Sequence, residues 1–287
     1  MICVNARAVI FALLLSYYGP ANGQELKYDL ERPNAQNRLP AILNEVSGLT
    51  DIDDSHIACV QDELGIVFVY NFKSGKVVVQ QKFSGPGDFE GLTYTGDALY
   101  ILRSDGRLTE WSGFKAGTNK GRIAHHKLNL ITNNNEGLCY DKTNRRLLIS
   151  AKNKPYEKTD KNKRYIYAFD LRRKELQRTP VYTVDVVKLY SKAKELNITT
   201  GNETRRFNFR PASLSIHPKN GLIYVISAVD KLLVGINEKS EVVYMKRLNP
   251  AVFPKAEGIT FLDDETMIIV NEAAGKVATL YVYKKRT

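Results

Sequence analysis

Reactive side chains are scarce in this 287-residue chain, which has three cysteines and four histidines. His125 and His126 are adjacent while His56 and His217 stand alone, so no pair has the spacing of a zinc site. A G-x-S-x-G nucleophile elbow and a glycine-rich phosphate loop are both missing, which argues against the common serine-hydrolase and nucleotide-binding classes. Long apolar runs are missing too. The run at the amino end, Ala8 to Leu15, falls short of the ~20 residues that a membrane-spanning helix needs. Basic residues are plentiful, with a formal net charge of +11, but they are spread over many loops and never interleave with aromatics as in single-strand binders. Nucleic acid is therefore not the expected partner. Attraction to a small anionic ligand, a glycan or a lipid head group stays open.

What the amino end does contain is a leader. Arg7 precedes the apolar run, and Pro20 and the small residues Ala21 and Gly23 follow it, which is the pattern of a secretory signal peptide cut after Gly23. The expected division is a signal peptide over 1–23 and one domain over 24–287. An uncleaved anchor is the alternative. With the leader removed, the protein is expected in the periplasm or cell envelope, without a transmembrane span and as a monomer, with a net charge of +10 once Arg7 is lost.

The rest of the chain is organised by a five-fold phrase of a polar residue, Gly or Ser, and Leu or Ile. It occurs at Ser47-Gly48-Leu49, Glu90-Gly91-Leu92, Glu136-Gly137-Leu138, Ala212-Ser213-Leu214 and Glu257-Gly258-Ile259. The steps between the middle residues are 43, 46, 76 and 45. Short β-branched and aromatic runs separated by turn residues follow each phrase, for example His56-Ile57-Ala58-Cys59-Val60 and Ile66-Val67-Phe68-Val69-Tyr70 after the first. Several short strands at a period in the forties predict a single all-β propeller of five four-stranded blades.

The 76-residue step leaves room for a sixth blade. Residues Val187 to Leu196, however, have helical spacing, so an insertion between blades three and four is the preferred reading. Repeat five supplies only three strands before the chain ends, and a propeller leaves no open edge. The expected fourth strand comes from the amino end, at Leu26 to Leu30. Cys59 and Cys139 fall in blades one and three, which are not neighbours, so two buried thiols are expected instead of a disulfide.

Gly or Ser in the phrase lets five inner backbones crowd the axis, and the aliphatic residue packs between blades. The glutamates call for a further role. Glu90, Glu136 and Glu257 occupy the same slot in three blades, so the ring aims them at one mouth of the channel. Such clustered carboxylates need protons, neighbouring lysines and arginines, or a cation such as Ca²⁺ or Mg²⁺. Alternatively each accepts hydrogen bonds from a neighbouring blade. In an antiparallel meander the turn after the second strand returns to this same mouth. That places Asp62, Arg103, Lys152, Asn153, Asp230, Asn271 and Glu272 there as candidate ligand-binding residues. The charged loop from Lys152 to Arg164 and the insertion ending at Arg210 emerge on that side as well, as a cap.

Taken in order, Glu45-Val46-Ser47-Gly48-Leu49-Thr50, Asp88-Phe89-Glu90-Gly91-Leu92, Asn135-Glu136-Gly137-Leu138-Cys139-Tyr140-Asp141, Arg210-Pro211-Ala212-Ser213-Leu214-Ser215-Ile216-His217-Pro218 and Ala256-Glu257-Gly258-Ile259 resemble the SdiA-regulated, YjiK-like family of bacterial exported β-propellers. The resemblance runs from about Leu39 to Tyr283 and implies a propeller in the cell envelope. More distantly the chain is similar to esterase-like and phytase-like propellers, in which acidic residues at the channel hold calcium. Here Ser47 and Ala212 stand in two of the five glutamate slots, so the acidic ring is incomplete.

Three functions follow. The first is a binding module with a divalent-cation or small-ligand site at the mouth. The second is a metal-dependent hydrolase of phosphate esters or lactones, with Arg103, Lys152 or Lys154 orienting an anionic substrate. The third is a metal-free scaffold for an envelope protein.

Overall fold

A computed structural model of the chain describes residues 27–118, 120–130, 132, 134–153, 161–198 and 207–286. The proposed leader, Lys154 and much of the two expected capping segments lie outside these residues.

Each phrase opens the innermost strand of an antiparallel sheet. Those inner strands are Val46–Asp51, Phe89–Tyr94, Asn135–Asp141, Ser213–Ile216 and Ala256–Phe261. They neighbour one another in chain order, and the fifth lies beside the first, so the ring closes at five blades. In blade one the outward order is Val46–Asp51, His56–Gln61, Ile66–Asn71 and Lys76–Lys82, and blades two and four repeat it. Blade three differs at its outer edge. Its third strand, Lys163–Asp170, pairs with two short pieces, Glu175–Leu176 and Tyr182–Asp185.

The 76-residue step carries a helix, Val186–Glu195, and not a sixth blade. Asp185 starts it by accepting hydrogen bonds from the backbone N–H groups of Val187 and Lys188 at 2.9 and 3.1 Å. The helix buries Val186, Leu189 and Ala193 against the seam between blades three and four.

The amino end does close blade five, but through Ala35–Arg38 and not through Leu26 to Leu30. Ala35–Arg38 runs antiparallel to Thr279–Tyr283, in register from Ala35 with Val282 to Arg38 with Thr279. The apolar stretch ahead of it has a different task. Tyr28 and Leu30 are buried among Leu222, Tyr224, Phe261 and Tyr283, between blades four and five. An outermost strand exposed to water needs no apolar alternation, which is why Ala-Gln-Asn-Arg does not look like a strand while a buried plug does.

The core is not one mass. Five apolar clusters each lie between adjacent blades, as expected when a blade buries its faces only against its neighbours. Cys59 sits in the seam of blades five and one and Cys139 in that of blades three and four, both as buried free thiols.

Candidate functional site at the glutamate mouth

Near their start the inner strands approach too closely for a side chain. A Cβ on Gly91 would lie 2.6 Å from the carbonyl oxygen of Glu136 in the next blade, and one on Gly258 would lie 2.2 Å from Leu49 Cδ2. Just before this level, four of the five inner strands carry a β-bulge. In the pairing with the second strand, Val46 and Gly48 have partners, as do Phe89 and Gly91, Asn135 and Gly137, and Ala256 and Gly258. The residue left over in each case is the slot residue, Ser47, Glu90, Glu136 or Glu257. A bulge frees a side chain from the alternation of the ladder and re-aims it. Ser47 uses that freedom to donate to the carbonyl oxygen of Phe89 in the next blade, 2.5 Å away. The three glutamates use it to converge.

Their meeting point is the Lys152 ammonium. Lys152 follows the second strand of blade three, Arg146–Ala151, and its backbone N–H donates to the Asn134 carbonyl at 2.8 Å. Its Nζ lies 2.8 Å from Glu136 Oε1, which also accepts from the Asn134 amide at 2.9 Å. Glu136 is 2% exposed and Glu257 7%. Burial pushes the Glu136 carboxyl up to about 9, Glu90 adds to the rise, and Lys152 opposes it. Burial, helped by Asp88, pushes Glu90 up to about 7 against the pull of Lys152. Glu257 is raised by burial too, with Lys152 and Lys255 pulling it back. Burial disfavours the Lys152 charge, yet Glu257, Glu136 and Glu90 together outweigh that, and its pKa is raised. One ammonium cannot neutralise three carboxylates, so the surplus negative charge is removed as protons. These upward shifts favour a proton on Glu136 at neutral pH and bring Glu90 close to its titration range.

A second tier stands two positions upstream of the slot in every blade, at Glu45, Asp88, Asn134, Arg210 and Lys255. Lys255 bridges Glu272 and approaches Glu257 at 3.8 Å. Burial, with Glu45 and Glu272 close by, pushes Asp62 up to about 6. The mouth is thus acidic along blades one and two, through Glu45, Asp62 and Asp88. Arg210, Lys231 and Lys255 bring positive charge to blades four and five.

Of the residues expected here from sequence, Glu90, Glu136, Glu257, Lys152, Glu272 and Asp62 interact as one group. Others are engaged locally. Arg103 pairs with Asp105 in its own hairpin turn. Asp230 accepts from Ser227 Oγ at 2.7 Å and from the Arg210 backbone N–H at 3.2 Å. Asn153 accepts from the Arg210 guanidinium, and Asn271 donates to Thr279 Oγ1 at 3.0 Å. Three polar atoms at this end, Asp62 Oδ1, Asn271 Oδ1 and Arg210 Nε, are buried without a hydrogen-bond partner among the described residues.

Lys255, Lys231 and Arg164 were not anticipated from sequence. The recurrence of charge two places before the slot would have found Lys255. Arg164, 1% exposed, clasps the returning insertion by donating to the carbonyl oxygens of Phe209 and Asn208. No spacing rule announces that contact.

The cation that the described residues themselves bring to the three glutamates is the Lys152 ammonium. Among the described residues no group of three or more His, Cys, Asp or Glu is disposed to ligate one.

Comparison with known proteins agrees with this architecture. The profile of the SdiA-regulated family matches residues 23–277, and the chain belongs to that family. No curated protein sequence matches it significantly. Among solved structures, glutaminyl cyclase of Myxococcus xanthus is similar with a TM-score of 0.56 and 16% identity, covering 88% of this chain and 95% of that one. A structural-genomics protein of unknown function from Bacteroides thetaiotaomicron is similar at a TM-score of 0.51 and 15% identity, over 82% of this chain and 58% of that one. At these identities the likeness establishes the propeller fold and nothing more.

Proposed function

We propose that the protein is an exported binding module of the cell envelope whose glutamate mouth takes a small polar ligand bearing an anionic group. The observation that carries this reading is the Lys152 ammonium held among Glu90, Glu136 and Glu257, two of which are raised to about 7 and about 9. The ligand's anionic group pairs with Lys152 from the solvent side, while the protonated Glu136 and the Asn134 amide offer hydrogen bonds to its polar atoms. The buried, unpartnered atoms of Asp62, Asn271 and Arg210 support a ligand or bridging water at this end. The leader pattern over 1–23 supports export. Among the described residues no helix is long and apolar enough to cross a membrane.

The test is calorimetric titration of the purified chain at pH 7 with a panel of small carboxylates, amino acids and phosphomonoesters, beside Lys152→Met. Saturable binding that weakens at least about tenfold in Lys152→Met is expected, the size of a lost charge-assisted hydrogen bond. Binding that ignores the substitution refutes the site. Stoichiometric calcium that disappears in Glu136→Gln would instead restore the cation reading.

Glu90 favours a second reading. A carboxyl titrating near neutrality suits general acid–base chemistry, so turnover of bound ligand that is lost in Glu90→Gln would make the module an enzyme.

A further inference from the structure

The far end of the channel is built differently. Past the glycine level the five inner strands enclose a cavity of about 520 Å³, lined by residues from all five blades. That is room for a small organic molecule.

Three features of its wall select the occupant. The hydroxyls come first. Thr93 and Ser215 line the cavity, are 4% and 8% exposed, and make no side-chain hydrogen bond to a described residue. Thr50 and Thr260 at equivalent positions are used between blades. Thr50 Oγ1 accepts from the Tyr94 N–H at 3.1 Å, and Thr260 Oγ1 donates to Asp51 Oδ1 at 3.0 Å. On largely buried residues that line the cavity, these hydroxyls can hydrogen-bond a ligand or ordered water.

The carboxylates come second. Asp51 and Asp263 share one side of the cavity, at the seam of blades one and five. Burial above all, and the nearby Asp263, raise the Asp51 pKa against the pull of hydrogen bonds from Thr260, the backbone and Thr50. The other ionisable groups on the wall are committed elsewhere or stand across the cavity. Asp141 is held by Arg146 and Asn144. His217 accepts two backbone N–H groups at Nδ1 and faces Tyr28 with Nε2. Lys142 is exposed on blade three. Among the described residues neither Asp51 nor Asp263 forms an ion pair. Aromatic faces come third, with Tyr94, Tyr140 and Phe261 on the wall.

We propose that this cavity binds a small organic ammonium compound, with its amine between Asp51 and Asp263 and its body against Tyr94, Tyr140 and Phe261. The ammonium relieves the repulsion between the two carboxylates and is attracted to the aromatic faces. Thr93 and Ser215 take the remaining polar groups. The site is separate from the glutamate mouth and stands or falls without it.

Calorimetric titration of the purified chain with tyramine, putrescine and spermidine, and with glucose as a neutral polyol, tests the assignment. At least one amine is expected to bind saturably and glucose not to bind. Asp51→Asn and Asp263→Asn should each weaken the amine about tenfold, while Lys76→Met, at an exposed position on the outermost strand of blade one, leaves it unchanged. Asn at position 51 still accepts from Thr260, and Asp263 lies in an exposed turn, so both variants should melt near the parent temperature. The assignment is overturned by the failure of all three amines, by affinity unchanged from the parent in both aspartate variants, by loss of amine binding in Lys76→Met, or by binding of glucose alone.

Discussion

The two ends of the channel are made from the same five strands and have opposite characters. At the glutamate end the backbones nearly touch, bulges turn carboxyls toward the axis, and a lysine from outside the phrase sits among them. At the far end the strands have spread, ordinary alternation has resumed, and small hydroxyls face an open space with Asp51 and Asp263 on one side, while Asp141 is held by Arg146 and Lys142 is exposed on blade three. The lesson concerns neutralisation. Where charge is packed tightly, the protein supplies its own counter-charge and sheds the excess as protons. Where there is room, it leaves carboxylates for something else to meet.

Removing Lys152 should break the comparison most strongly. Lys152→Met leaves three carboxyls with no central cation, and losing one partner of a buried ion pair costs about 3–5 kcal/mol. Protonation of Glu136 cushions the loss at both pH values, while Glu90, raised to about 7, is ionised at pH 8 and protonated at pH 5, so a loss of about 1–3 kcal/mol is expected at pH 8 and less at pH 5, read from urea midpoints. An equal loss at both would mean that Lys152 acts through packing alone.

Steric contrast between the ends comes next. Gly91→Ala pushes a methyl onto the Glu136 carbonyl, and overpacking of this kind costs about 1–3 kcal/mol. Two residues along the same strand, Thr93→Val changes a hydroxyl facing the cavity and should shift stability by no more than about 0.5 kcal/mol. Thermal melts of the pair check this, and equal destabilisation would erase the distinction between closed and open ends.

The finest probe is proton uptake. A carboxyl whose folded pKa is raised keeps its proton while the unfolded chain has already lost it. The stability it contributes is fully present below about 4.5 and drains away as pH rises toward about 9. For Glu136 alone the slope is on the order of 1 kcal/mol per pH unit within that window. Glu136→Gln should flatten the pH profile and leave the variant at least as stable as the parent at pH 8. A profile that keeps its slope in the variant would show that Glu136 is ionised in the folded protein.

Much of this was open to a reader of the sequence, unevenly. The five phrases fix the blade number because each demands an inner strand, and Gly or Ser in each is what crowding at the axis requires. The glutamate mouth was legible as a convergence of Glu90, Glu136 and Glu257, since a ring repeats its slots. Its chemistry was not. A bulge exists only in relation to the strand it pairs with, so the freeing of the slot residue has no signature in a single segment. The partnership of Lys152 with Glu136, with Glu257 and Glu90 close by, spans three blades, and charge alone at position 152 does not reveal what it meets.

The amino-acid sequence by itself determined the fold class, the five-fold count and which end carries the glutamates, because these depend on local periodicity repeated along the chain. Tertiary structure decided that Ala35–Arg38 closes the ring, that a lysine settles the charge at one mouth, and that the other mouth opens into a cavity. Each depends on how far apart blades stand and what faces across the gap. That distance is set by packing around the whole ring, and no single blade contains it.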